Sequence, residues 1–204
     1  MDADLRRYDV DDPTDKDHRT LNLAKLMLGG QAGLGNPRAV QFLNHWLENT
    51  GTPVEFDPQT MIREVPGLKG AIDRAIAENA GKGRFDSQWK AGAIHEDITA
   101  LQQQGKSASP ELLDWYYALN GYQYRISGDV KEIDGKIVGD IRVDVSKRYD
   151  WGNPGGKPRA DIDLKFTDVP QEDLARLNAT GLAQDYDVRG STTFWVETPA
   201  PAKS

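Results

Sequence analysis

The residues most able to do chemistry in this chain are oxygens. Asp140 and Asp144 are spaced to share one face of a strand, as are Asp161 and Asp163 further on, and Asp185 and Asp187 open a last one. If these strands are neighbours, their carboxylates converge. Clustered carboxylates suit a hard cation such as Mg²⁺ or Ca²⁺, with Asp140, Asp144 and Asp161 the candidate ligands. They could also pair a raised-pKa acid with an ionised base. The alternative is a solvated sheet face, on which Arg142, Lys165 and Arg189 balance the acids across strands. Between the two sets lies a loop, Tyr149-Asp150-Trp151-Gly152-Asn153-Pro154-Gly155-Gly156-Lys157, built around turn-forming residues. With Arg148 and Arg159 it joins an aromatic pair to both signs of charge, so Arg148, Trp151, Asn153 and Lys157 are candidates for binding. Equally, Tyr149 and Trp151 could anchor the loop in the core, with Asp150 bonding the turn backbone.

Other catalytic patterns are missing. No phosphate-cradling Gly-rich loop ends in Lys-Ser/Thr, and there is no Gly-x-Ser-x-Gly. The three His, at 18, 45 and 95, are scattered without zinc-ligand spacing. Cysteine is absent, which removes thiolate chemistry. No organic cofactor is expected.

Two kinds of periodicity must position these groups. Up to about residue 106 the pattern is helical. Leu21 to Leu28 reads as a short apolar helix ended by Gly29-Gly30. Asn36-Pro37 caps and starts a helix with Val40, Leu43 and Trp46 on one face. Asp57-Pro58 starts a short helix that Pro66 interrupts, and Leu68, Ile72 and Ile76 mark the next. A further helix is expected from about Ser87, carrying Trp89, Ile94, Ile98 and Leu101. His45 reads as a boundary residue of its helix, and His95 as a surface pair with the adjacent Glu96 rather than an acid–base couple.

Beyond Ser109-Pro110, which opens one more helix, the period changes to two. Tyr122 to Val130 alternates as a half-buried strand, Asp134-Gly135 is a hairpin signal, and Ile137 to Val145 returns. A third strand is expected over 161–166, a helix after Pro170, and a last strand from Tyr186. The expected fold is therefore α+β. A helical N-terminal half precedes a twisted antiparallel sheet of about four strands in the order β-β-β-α-β. The expected organisation is a flexible acidic arm (1–20), a helical region (21–106), a sheet domain (107–198) and a flexible tail (199–204).

The net charge is −7 and neither half of the chain is basic, which disfavours nucleic acid as a partner. No apolar run approaches a membrane span. The acidic N-terminus lacks the apolar stretch of a cleaved signal, so the expected location is cytoplasmic, or secreted by a signal-peptide-independent route.

Four segments carry a resemblance. Asp114-Trp115-Tyr116-Tyr117-Ala118-Leu119, Tyr124-Arg125-Ile126-Ser127-Gly128, Tyr149-Asp150-Trp151 and the run from Leu174 to Gly190 together resemble a C-terminal domain of bacterial secretion-associated proteins and polymorphic toxins. The resemblance covers about residues 112–196. It implies an effector module used in interbacterial antagonism or host contact, with a protein partner: an immunity protein, a secretion component or a target. A different role open to the same residues is a non-catalytic interaction module that docks a partner through the polar sheet face and the loop. The Tyr-Asp loop is also similar to that of colicin M-type lipid II hydrolases, which implies a phosphodiesterase. In that family an Asp lies two residues before the Tyr and a His-Arg pair follows. Here Lys147 takes the first place and no His follows. Tyr149, Asp150 and Arg159 are the candidates for catalysis that this likeness carries over.

Overall fold

Alternation along the strands and proline-started helices lead to an α+β architecture. The computed structural model describes residues 7–152 and 169–200. The described residues form seven helices and a mostly antiparallel sheet of six strands. In chain order the elements are α1 (Asp15–Gly33), α2 (Pro37–Leu47), β1 (Val54–Phe56), α3 (Gln59–Glu64), α4 (Pro66–Glu78), β2 (Gly83–Asp86), β3 (Lys90–Ala93), α5 (Ile94–Gln103), α6 (Pro110–Ala118), β4 (Gly121–Ile133), β5 (Lys136–Tyr149), α7 (Gln171–Ala179) and β6 (Tyr186–Pro199). The third strand expected over 161–166 lies outside the described residues.

The chain divides into two compact units, each assembled from separated segments. The first comprises Met1–Val54, Leu113–Leu119 and Arg148–Asp187, and the second Glu55–Leu112, Asn120–Lys147 and Val188–Ser204.

In the first unit α1 packs on α2 and on α7. Phe42, Trp46, Trp115, Leu174, Leu177 and Tyr186 are among its buried side chains. Helix α1 is longer than the apolar run Leu21–Leu28 implies, because it starts at a capping box. Asp17 N–H donates to the Thr14 hydroxyl, and the Asp17 carboxylate accepts from Thr14 N–H at 2.8 Å. It then continues through Gly29 and Gly30, because its contacts with α2 and α7 outweigh glycine's poor helix propensity. The expected cap of α2 is also replaced. Asn36 makes no side-chain cap bond, and its amide donates instead to Gln31 Oε1 at 2.7 Å. The cap is Asp114, from α6. Its Oδ1 accepts from Arg38 N–H at 3.1 Å and Ala39 N–H at 3.0 Å.

In the second unit α4 packs on α3, α5, β3 and β4. The sheet order is β1-β6-β5-β4-β2, with β3 also pairing with β4. The Asp134-Gly135 turn has positive φ at both residues (51° and 72°), as a two-residue hairpin requires. It sets Ile126 opposite Val143 and Arg125 opposite Asp144. Side chains in strands alternate, so Ile126, Val130, Ile141, Val143 and Val145 fill the buried face. Arg125, Arg142, Asp144 and Arg189 are left on the polar one. The helix expected from Ser87 is corrected: an irregular connection over 87–89 and then β3 occupy that stretch, and α5 begins only at Ile94. Helical spacing of Trp89 and Ile94 did not reveal that Lys90–Ala93 could pair with the free edge of β4.

Candidate functional site

The end of β5 and the residues that follow it are drawn inward. Tyr149 is buried, its ring stacked on Tyr186 (centroids 5.1 Å apart) and edge-on to Trp151 at 6.3 Å. Burial, reinforced by the negative charge of Asp185, holds its phenol well above the ordinary tyrosine range. It is therefore protonated at neutral pH and offers neither a base nor a phenolate. Trp151 is buried against Trp46, and its indole N–H has no hydrogen-bond partner among the described residues. Asp150 is also buried, and its Oδ1 accepts from Gly152 N–H at 2.9 Å. That contact closes a turn of the kind Asp favours. Gly152 sits at φ 89°, a conformation that suits glycine. Arg148 is exposed, and its Nη1 donates to Asp187 Oδ1 at 3.2 Å. Asn153, Lys157, Arg159 and Asp161 lie outside the described residues.

The placed carboxylates do not gather. Asp140 is exposed opposite Asp129, and Asp144 pairs with Arg142 at 2.8 Å. Four residues apart on one strand, Asp140 and Asp144 are separated by about 13 Å of backbone. Asp185 is buried and accepts from the Trp46 indole N–H at 3.1 Å. No group of three or more His, Cys, Asp or Glu suited to a metal occurs among the described residues. His18 is exposed. His45 lies at a boundary, its Nε2 2.8 Å from Thr52 O, and His95 Nδ1 lies 3.3 Å from Asn120 Oδ1.

The polar face of the sheet, a docking surface expected from the sequence, carries a groove whose lining sequence reasoning did not assemble. The groove encloses about 500 Å³ in the second unit. Glu55, Arg189, Arg142, Asp144, Arg125 and Trp89 line it in order across β1, β6, β5, β4 and the β2–β3 turn. Ser146 and Ser191 add hydroxyls. The Asp144 carboxyl lies below its ordinary range. Burial pushes it up, but hydrogen bonds from Arg142 and Ser191 and the charges of Arg142 and Arg125 outweigh that push. Asp86 is lowered to about 2, chiefly by the Arg125 hydrogen bonds. The signal for this site was the polar half of each alternating strand. What was not legible was which strands become neighbours.

Three solved bacteriocin structures are similar to the chain. The truncated bacteriocin syringacin M from Pseudomonas syringae pv. tomato DC3000 shares 16% identity over 81% of this chain and 61% of that one, with a TM-score of 0.42. The longer form of syringacin M shares 19% over 76% and 50%, at 0.37. A point mutant of it shares 15% over 78% and 52%, at 0.38. The chain spans between half and about three fifths of the length of these proteins. No family model matches it, and no characterised protein sequence does.

Proposed function

We propose that this chain is the binding module of a bacterial effector used in antagonism or host contact, and that it engages a protein partner through the polar face of its sheet. The observation that carries the binding role is a contrast in exposure. The aromatic pair Tyr149 and Trp151 is buried, while the charged groove beside Trp89 faces solvent. The effector setting is supported by the resemblance of residues 112–196 to secretion-associated domains. A partner of the immunity, secretion or target kind fits a module without a gathered catalytic constellation among its described residues. Hydrolysis of the colicin M type would have to draw on Tyr149, Asp150 and Arg159, the last of which lies outside the described residues. The enclosed, protonated Tyr149 and the turn-bonded Asp150 favour an anchoring role for both.

Growth assays test this reading. The chain is expressed in a bacterial cytoplasm and, with an added export signal, in the periplasm. Growth is expected to fall in one compartment, and to fall equally with Tyr149→Phe and with Asp150→Asn. Normal growth in both compartments overturns the effector role. Growth restored by either substitution, in a variant with unchanged circular dichroism, replaces binding with chemistry at the loop.

A further inference from the structure

The groove on the polar face has an organisation that general surface polarity does not require. Arg125 and Arg142 are each clamped by a carboxylate of the same chain. Arg125 Nε donates to both Asp86 oxygens, at 2.9 and 3.1 Å, and its Nη2 donates to Oδ2. Arg142 holds Asp144 in the same way, through Nε at 3.0 Å and Nη2 at 2.8 Å. In both side chains Nη1 takes no part in these bonds, so each guanidinium keeps donors available while its plane is fixed. A clamped guanidinium has already lost the rotamer freedom that binding would otherwise remove. Arg125 and Arg142 sit on adjacent strands and on one face, close enough for the charge of Arg125 to be felt at Arg142. Arg189 brings a third cation to the groove from β6. Trp89 is 48% exposed at its end, although a large indole standing in water contributes nothing to the core.

We infer that this groove receives an acidic segment of a protein partner, whose carboxylates bond the guanidinium donors of Arg125, Arg142 and Arg189 while its apolar part lies on Trp89. Arg and Trp are the residue types that dominate binding energy at protein interfaces. The whole chain carries a net charge of −7, whereas in the groove three arginines outnumber Glu55 and Asp144, so an acidic segment is drawn to the groove over the acidic surface at large, and the groove fixes the register of docking as well as supplying contact. The inference rests on the binding role proposed above and names the chemistry of the partner.

The test is a titration of the full ¹⁵N-labelled chain, followed at the Trp89 indole and the arginine Nε–H signals. The probe is a peptide of alternating Glu and Leu; a Lys-and-Leu peptide and inorganic phosphate at matched ionic strength are the controls. The acidic peptide is expected to shift Trp89, Arg125 and Arg142 with saturation near about 1 mM, the weak end of specific recognition. Arg142→Gln combined with Arg189→Gln is expected to abolish the shifts. Asp86→Asn is the sharper variant. It removes a negative charge beside the groove yet is expected to weaken binding about fivefold, because Arg125 loses its clamp. Tighter binding by Asp86→Asn overturns the clamped site in favour of plain attraction. Equal shifts with phosphate reassign the groove to small oxyanions, and absence of saturable shifts removes it altogether. Failure of the broader binding role is told apart in the growth assay. If the double arginine variant loses peptide binding but inhibits growth as before, the groove stands and its part in antagonism does not.

Discussion

Asp17 is a carboxylate enclosed in the protein, 2% exposed, and it stays charged because Arg176 meets it. Arg176 Nε donates at 2.9 Å and Nη2 at 3.2 Å, and Thr14 contributes further hydrogen bonds from its hydroxyl and backbone N–H. The Arg176 hydrogen bonds are the largest influence, and together with Thr14 they overcome burial to hold this carboxyl well below its ordinary range. An acid with a depressed folded pKa stabilises the fold above its unfolded value, near about 4, and loses that contribution as pH falls through the folded value. The stability gap between the parent chain and Asp17→Asn is therefore expected to be widest at neutral pH and to narrow steadily below about pH 4. Urea midpoints measured across that range check it, and a gap independent of pH would mean that the charge is not what matters. Sequence alone placed Asp17 in a solvated acidic stretch. Its partner lies 159 residues away, a distance over which no local pattern carries information.

Helices show the same division between local and distant causes. Starts at Pro37 and Pro110 were legible, since proline's fixed φ and missing N–H suit the first turn, whereas Pro66, read as the end of one helix, also begins the next. The cap of α2 was not. Asp114 is 1% exposed and satisfies two N–H groups of that helix, while Arg38 Nη1 completes a pair with it at 3.1 Å. Asp114→Ala removes the acceptor of those N–H donors and the carboxylate that Arg38 Nη1 bonds. It is expected to cost about 3 kcal/mol, read from chemical denaturation. A loss no larger than a typical surface change would show that water replaces the cap. Helix α1 offers the opposite case. A Cβ built on Gly29 or Gly30 meets nothing within 4 Å. Both are exposed in the helix interior, so Gly29→Ala and Gly30→Ala should each stabilise by about 0.5–1 kcal/mol through reduced freedom of the unfolded chain. A rise in thermal midpoint of the double variant checks this; a fall would show that α1 needs its glycines for a contact outside the chain.

At the scale of the whole molecule, two units are each woven from separated stretches of sequence. The growth assay and the peptide titration belong here, because both ask what the assembled surface does rather than what one side chain contributes. The sequence by itself determined the strand faces of β4, β5 and β6, the hairpin at Asp134-Gly135 and most helix starts. These follow from a side-chain period of two, from positive-φ turn residues and from proline geometry, all properties of short stretches of backbone. Tertiary structure alone decided the rest. It joined Lys90–Ala93 to the edge of β4, turned Tyr149 and Trp151 from a polar loop into buried anchors, and assembled one groove from Glu55, Arg125, Arg142 and Arg189. Each of these outcomes depends on which strands become neighbours. That choice is made by burying apolar faces across long sequence separations, and the spacing of residues along a single strand does not encode it.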